Sequence, residues 1–144
     1  MLVLKKGDMF QSEAKILVNA VNCVGVMSGG LAAIFKKRFP DMFVQYAAYC
    51  KEKKLTPGGI HVYKDKDKWI FNVATKDHWL QDSQYEWIET GLNNIVIEAK
   101  KLGVDSIAVP GLGCGLGNLS WNKVKIMIEN VDWTGLTVEA FEPL

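Results

Sequence analysis

Four glycines fall within seven residues of VPGLGCGLGNLSW (Gly111, Gly113, Gly115 and Gly117), and a second glycine-rich stretch, GVMSGG, occupies residues 25–30. Glycine inside regular structure costs about 1 kcal/mol relative to alanine, so bare backbone at these points has a reason. Each stretch follows an apolar run and precedes a helical pattern. Backbone N–H groups exposed at such a strand-to-helix step form a cradle for phosphate. Two such loops facing each other hold a diphosphate; each alone serves equally as a tight turn. GLGCGLG contains G-x-G-x-x-x-G rather than G-x-G-x-x-G, and no GxxxxGK[ST] is present, which excludes an NTP-hydrolysing P-loop.

Polar residues lie around these loops. Asn19 and Asn22 interrupt the apolar run in LVNAVNCVG and suit sugar hydroxyls, or they satisfy loop backbone, the reading favoured for Asn19. Asp8, beside Gly7, accepts from an exocyclic amine or closes a turn. Lys76 stands just past an apolar run in NVATKDHW; it reads as a solvated loop lysine on spacing alone, or as a point charge or nucleophile. Cys114 has no patterned His or acidic partner and reads as a small loop residue. Trp79, Tyr85 and Trp121 offer a stacking face for bases, with Trp121 more simply a core plug. Lys36, Lys37 and Arg38 make a basic cluster, most simply a solvated helix face.

Composition bounds the rest. The chain has 144 residues, 49% apolar and 23% charged, with a formal net charge of +1. This suits a globular domain and excludes a histone-like binder. Cys23, Cys50 and Cys114 are odd in number and widely spaced, and His61 and His78 lie far from metal-ligand spacing, so no zinc site is expected. Unpaired cysteines suit a reducing cytosol. With no signal-peptide pattern and no membrane-length apolar run, the expectation is a soluble, cytoplasmic, single-domain protein.

The elements that must position these residues alternate between strand and helix. MLVLKK, AKILVNAV, IHVYKD, KWIFNVAT, SIAVP and LTVEAF read as strands, with IHVYKD and KWIFNVAT joined by a charged hairpin. LAAIFKKRF begins a helix that Pro40 interrupts, and MFVQYAAYCKEKK continues as a second. A long helix is expected over 83–102, with Ser83 and Glu86 as a capping box and Gly103 at its end. SWNKVKIMIENV reads as a helix with Val124, Ile128 and Val131 on one stripe. The pattern predicts an α/β protein with a mixed, largely parallel sheet covered on both faces, binding ligand where strand carboxyl ends lead into loops.

Taken together, KKGDMF, ILVNAVNCVGVMSGGLAAIFKKRFP, NVATKDHW, GLGCGLGNLSW and VEAFEP resemble a macrodomain, in order and over essentially the whole chain. The resemblance is to DarG-type antitoxin macrodomains, which share a subclass with the human terminal ADP-ribose protein glycohydrolase. It implies a three-layer α/β/α fold with a mixed six-stranded sheet, a single macrodomain over 1–144, and ADP-ribose as ligand. It implies adenine contacts from Asp8 and Met9 at one end and Phe141 beside them. Ser28, Gly29, Gly30 and Leu31 match the first diphosphate loop, and Gly113, Cys114, Gly115, Leu116 and Gly117 the second. Asn22 matches the asparagine near the distal ribose and Lys76 the lysine on which catalysis depends, so the resemblance implies Lys76 and Asn22 as the catalytic residues.

DarG-type macrodomains remove ADP-ribose from thymidine bases of single-stranded DNA, which implies that substrate here, with no cofactor and no metal. The human relative's second-loop aspartate is matched here by Gly117, as in DarG-type members, and no basic residue stands near Gly29. No part of the sequence matches the toxin-binding second domain of full DarG proteins, so the chain reads as a cut piece or a free-standing macrodomain. Two other readings remain: a hydrolase of ADP-ribosyl-glutamate, O-acetyl-ADP-ribose or ADP-ribose 1″-phosphate, and a non-catalytic ADP-ribose reader.

Overall fold

The computed structural model describes residues 1–143. The elements run β1 (Leu2–Lys5), β2 (Ile16–Val21), α1 (Gly30–Arg38), α2 (Pro40–Lys51), β3 (Ile60–Asp65), β4 (Lys68–Ala74), α3 (Tyr85–Leu102), β5 (Ser106–Val109), α4 (Trp121–Glu129) and β6 (Thr137–Phe141), with a 3-10 turn at Met9–Gln11. The six strands form one sheet in the order β1-β6-β5-β2-β4-β3. Every neighbouring pair is parallel except β3 and β4. That pair is a hairpin: Asp65 pairs with Lys68 across a two-residue turn in which Lys66 takes a left-handed φ of 55°.

Two apolar clusters, one on each face, hold the layers together. β2 shows why: its residues alternate, with Ile16 and Val18 in one cluster and Leu17 and Val21 in the other. The first face is covered by α3 and α4. Ile88, Leu92, Ile95 and Ala99 recur at helical spacing on α3 and are all buried, as are Val124 and Ile128 on α4. The second face is covered by α1 and α2 through Phe35, Met42, Tyr46 and Cys50. This is the expected α/β/α arrangement with a mixed six-stranded sheet. Pro40 ends α1 at Arg38 and stands at the first turn of α2, where its missing N–H leaves no bond unmade.

Three local expectations are corrected. The capping box at Ser83 does not form. α3 starts at Tyr85 with Gln84 at its cap and no side-chain cap bond. Ser83 is drawn instead to the second glycine loop, its N–H donating to Gly117 O at 3.0 Å. Asn19 caps no loop. It lies fully buried within β2 beside its register partner on β4, and its Nδ2 donates to Asn72 Oδ1 at 3.0 Å. Val131 lies beyond α4, which ends at Glu129; it still packs half-buried on the core. Gly103 does close α3, with the left-handed φ of 71° that its position requires.

Candidate ligand cleft between two glycine loops

Parallel strands put their carboxyl ends on one edge of the sheet, and that edge collects the residues singled out above. β2 leads into the first glycine loop and β5 into the second, and these two strands are neighbours in the sheet. The loops therefore face each other across a cleft. Asn22, Ser28, Gly29, Gly30, Leu31, Gly113, Gly115, Leu116, Gly117 and Lys76 all line it. Trp79, offered from the sequence as part of a stacking face, also lines it, as do Thr75 and Pro110, which the sequence did not single out. Thr75 and Pro110 sit at strand ends, a position that the strand pattern alone supplies.

The first loop is built around the Asn22 side chain. Its Oδ1 accepts from Val24 N at 3.0 Å and Val26 N at 3.3 Å, and its Nδ2 donates to Val26 O at 2.8 Å. From α2, the buried Tyr46 hydroxyl donates to Asn22 O at 2.7 Å and lies 3.0 Å from Oδ1. Burial pushes the Tyr46 hydroxyl well above the usual phenol range, so it stays a donor. Asn22 thus shapes the loop that borders the cleft, and α1 begins directly after it at Gly30 with its first N–H groups unpaired within the helix.

The glycines of the second loop have separate reasons. Gly113 has a φ of 73°, and a Cβ there would meet Leu119 Cδ1 at 2.8 Å. A Cβ on Gly111 would strike the Pro143 ring at 2.6 Å. One on Gly117 would collide with Ser83 Oγ and with the Gly113 carbonyl. Gly115 differs: it is exposed on the cleft, its φ is not positive, and nothing lies within 4 Å of a Cβ built on it. The fold itself does not require glycine at 115. The amides of Gly115, Leu116 and Gly117 donate to no described residue. The loop is tied down from outside by Ser83 N and by Asn118 Nδ2, which donates to Asp82 Oδ1 at 2.7 Å.

Lys76 follows β4. Thr75 N donates to Val21 O at 2.9 Å and Cys23 N to Asp77 O at 3.0 Å, so its backbone is stitched to the first loop. Its ammonium crosses to the second, donating to Leu116 O at 2.8 Å and to Trp79 O at 3.4 Å. The half-buried lysine is therefore placed by its surroundings, unlike a solvated loop lysine.

Other expected residues stand off the cleft. Asp8 follows β1 and is exposed; one carboxylate oxygen accepts from Phe10 N at 2.9 Å, capping the 3-10 turn. Met9 and Phe141 are buried in the cluster under α1 and α2. Cys114 packs half-buried towards the core, and burial pushes its thiol up to about 11, which keeps it protonated at neutral pH. Tyr85 and Trp121 likewise pack on the core beneath α3 and α4 and do not join Trp79. The basic cluster is a solvated face: Lys36 lies over the Phe43 ring and Arg38 over the Phe10 ring. Among the described residues, no group of three or more His, Cys, Asp or Glu is arranged to hold a metal ion, and no helix is long and apolar enough to cross a membrane.

A family model described as "Macro domain" matches residues 18–128. The chain is 40% identical over 129 residues to the DNA ADP-ribosyl glycohydrolase of Mycobacterium tuberculosis, covering 87% of this chain and 37% of that protein. The macrodomain of Thermus aquaticus DarG superposes with a TM-score of 0.91 at 38% identity, covering 99% of both chains. Thermosipho africanus DarTG in complex with ADP-ribose superposes with a TM-score of 0.93 at 38% identity, covering 99% of this chain and 42% of that one. The chain thus spans about two-fifths of the length of the curated relatives it matches.

Proposed function

Because this chain belongs to the Macro domain family, we propose that its cleft binds ADP-ribose and that the protein removes ADP-ribose from thymidine bases of single-stranded DNA. The observation that carries this is the order of carboxyl ends along the sheet edge. From β1 to β4 that edge presents Asp8, then Phe141, the second glycine loop, the first glycine loop, and last Lys76. Four strand spacings of about 4.8 Å make a row of about 19 Å, long enough for an extended nucleotide diphosphate sugar.

In this row, adenine lies at the Asp8 end, where the second carboxylate oxygen accepts from the exocyclic amine, with Met9 and Phe141 as its apolar bed. The diphosphate lies between the loops, on amides of Ser28 to Leu31 and of Gly115 to Gly117, the Cys114 amide being taken by Gly111 O. Unpaired N–H groups at a loop and a helix start favour the anion by hydrogen bonding and by the helix dipole. The distal ribose then reaches Asn22 and Lys76. Hydrolysis breaks the bond between the base nitrogen and C1″; water oxygen takes its place on C1″, and the base leaves with a proton. Two roles for Lys76 fit this placement. As a free amine it attacks C1″ of the ring-opened sugar, the base leaves with a proton, and water then hydrolyses the lysine–sugar imine to free both; as an ammonium it stabilises the departing base.

The chain's unpaired cysteines suit the reducing cytoplasm, where a DNA-directed enzyme works. The test is a single-stranded oligonucleotide carrying ADP-ribose on one thymidine, incubated with wild type and Lys76→Ala in the presence of chelator. Release by wild type that the variant loses is the expected result. ADP-ribose binding without release would make the protein a reader, and release from a glutamate ester alone would move it to a protein hydrolase.

A further inference from the structure

The proposed reading puts C1″, and so the bond to be broken, at the Lys76 end of the cleft. Among the described residues lining the cleft, one is aromatic: Trp79. It is 46% exposed and lies three positions past Lys76, whose ammonium donates to its carbonyl oxygen. One face of the indole rests on the His78 ring, with centroids 5.6 Å apart and planes 25° from parallel. His78 is itself held, its Nδ1 accepting from Leu80 N at 3.1 Å. An indole backed on one face and open at the mouth of a cleft is a stacking surface, and base–aromatic stacking is tolerant of base identity.

We infer that Trp79, backed by His78, stacks the nucleobase that departs from C1″, and so selects base-linked ADP-ribose over other conjugates. This rests on the glycohydrolase reading above. Adenine is not the base in question, because Asp8 stands at the far end of the strand row. The other large apolar side chain at the mouth, Leu116, leans on the Gly29 backbone and offers no flat face.

The test uses the full chain and two ligands, ADP-ribose itself and the oligonucleotide carrying ADP-ribosyl-thymidine. Binding to the oligonucleotide is measured in a Lys76→Ala background so that it stays intact. Adding Trp79→Ala weakens oligonucleotide binding about tenfold or more, while the Kd for ADP-ribose moves less than about twofold. In the active background Trp79→Ala raises KM for the oligonucleotide, and Trp79→Phe recovers most of the loss because it keeps an aromatic face. Equal weakening of both ligands, or no change in either, would overturn the inference while leaving the activity in place. Wild type that leaves the oligonucleotide intact would overturn the activity and the inference together.

Discussion

The Lys76 ammonium lies 2.8 Å from the Leu116 carbonyl oxygen, so a side chain rooted just past β4 reaches the loop that follows β5. The strand between them is β2, whose loop forms the opposite wall. Leu116 also leans towards that wall: a Cβ on Gly29 would stand 3.1 Å from its Cδ1. Lysine, leucine and glycine form a bridge across the cleft, and the charge is fixed by position as well as by sign.

That geometry separates charge from placement. Lys76→Arg keeps the positive charge but presents a planar fork on a longer stem. We expect ADP-ribose affinity within about threefold of wild type and turnover lower by about 100-fold or more. Calorimetry and release kinetics on the same preparations check both; turnover near the wild-type rate would show that any cation at this point suffices.

The second loop gives a paired prediction. Gly115→Ala leaves the melting temperature within about 1 °C, because a Cβ there meets nothing, yet it weakens ADP-ribose binding because the methyl group enters the cleft. Gly117→Ala destabilises the protein by about 1–3 kcal/mol through its collision with Ser83 and the Gly113 carbonyl. Thermal melts with and without ADP-ribose distinguish the two effects.

Tyr46→Phe removes a buried hydroxyl whose partner is Asn22. The cost is about 1–2 kcal/mol, and the loop that borders the cleft loosens with it. Denaturant unfolding measures the first effect, and amide exchange over 23–30 measures the second. Loss of stability with unchanged loop exchange would separate Tyr46 from the shape of the cleft.

His61 lies buried on β3, its Nδ1 3.1 Å from Asn72 Nδ2. Burial holds its pKa below the ordinary imidazole value of 6.5. The unfolded chain therefore takes up a proton at a higher pH than the native one, and stability falls as pH drops below 6.5. A separate acid-side loss comes from Glu139. Hydrogen bonds from Lys5 and Ser12 hold its carboxyl below 4.5, so its contribution is present above that value and lost as pH falls through the native pKa. Melting temperatures between pH 7.5 and 5.5 isolate the histidine window. His61→Gln, which keeps an acceptor for Asn72, flattens the slope there.

Much of the cleft's lining was legible because apolar periodicity and the steps from strand to glycine loop are local features of the chain. Both glycine stretches sit at strand-to-helix steps, and Lys76 follows a buried strand, as the apolar runs indicate. Two of the misreadings share one cause. Ser83 carries every local mark of a cap, yet Gly117, far along the chain, takes its N–H. Asn19 looks like a loop residue, but its partner is Asn72 on the neighbouring strand. Trp79, Tyr85 and Trp121 are alike in type, and only their distance from the core under α3 and α4 separates them.

By itself the sequence determined the alternation of strand and helix, the two faces of the sheet, and which residue types cluster near strand ends, since these follow from local periodicity and backbone chemistry. The tertiary structure alone decided the strand order, and with it the row from Asp8 through the glycine loops to Lys76. It also decided which glycines the fold needs and which face the cleft. Those depend on contacts between residues distant in the chain, where packing and long-range hydrogen bonds override local preference.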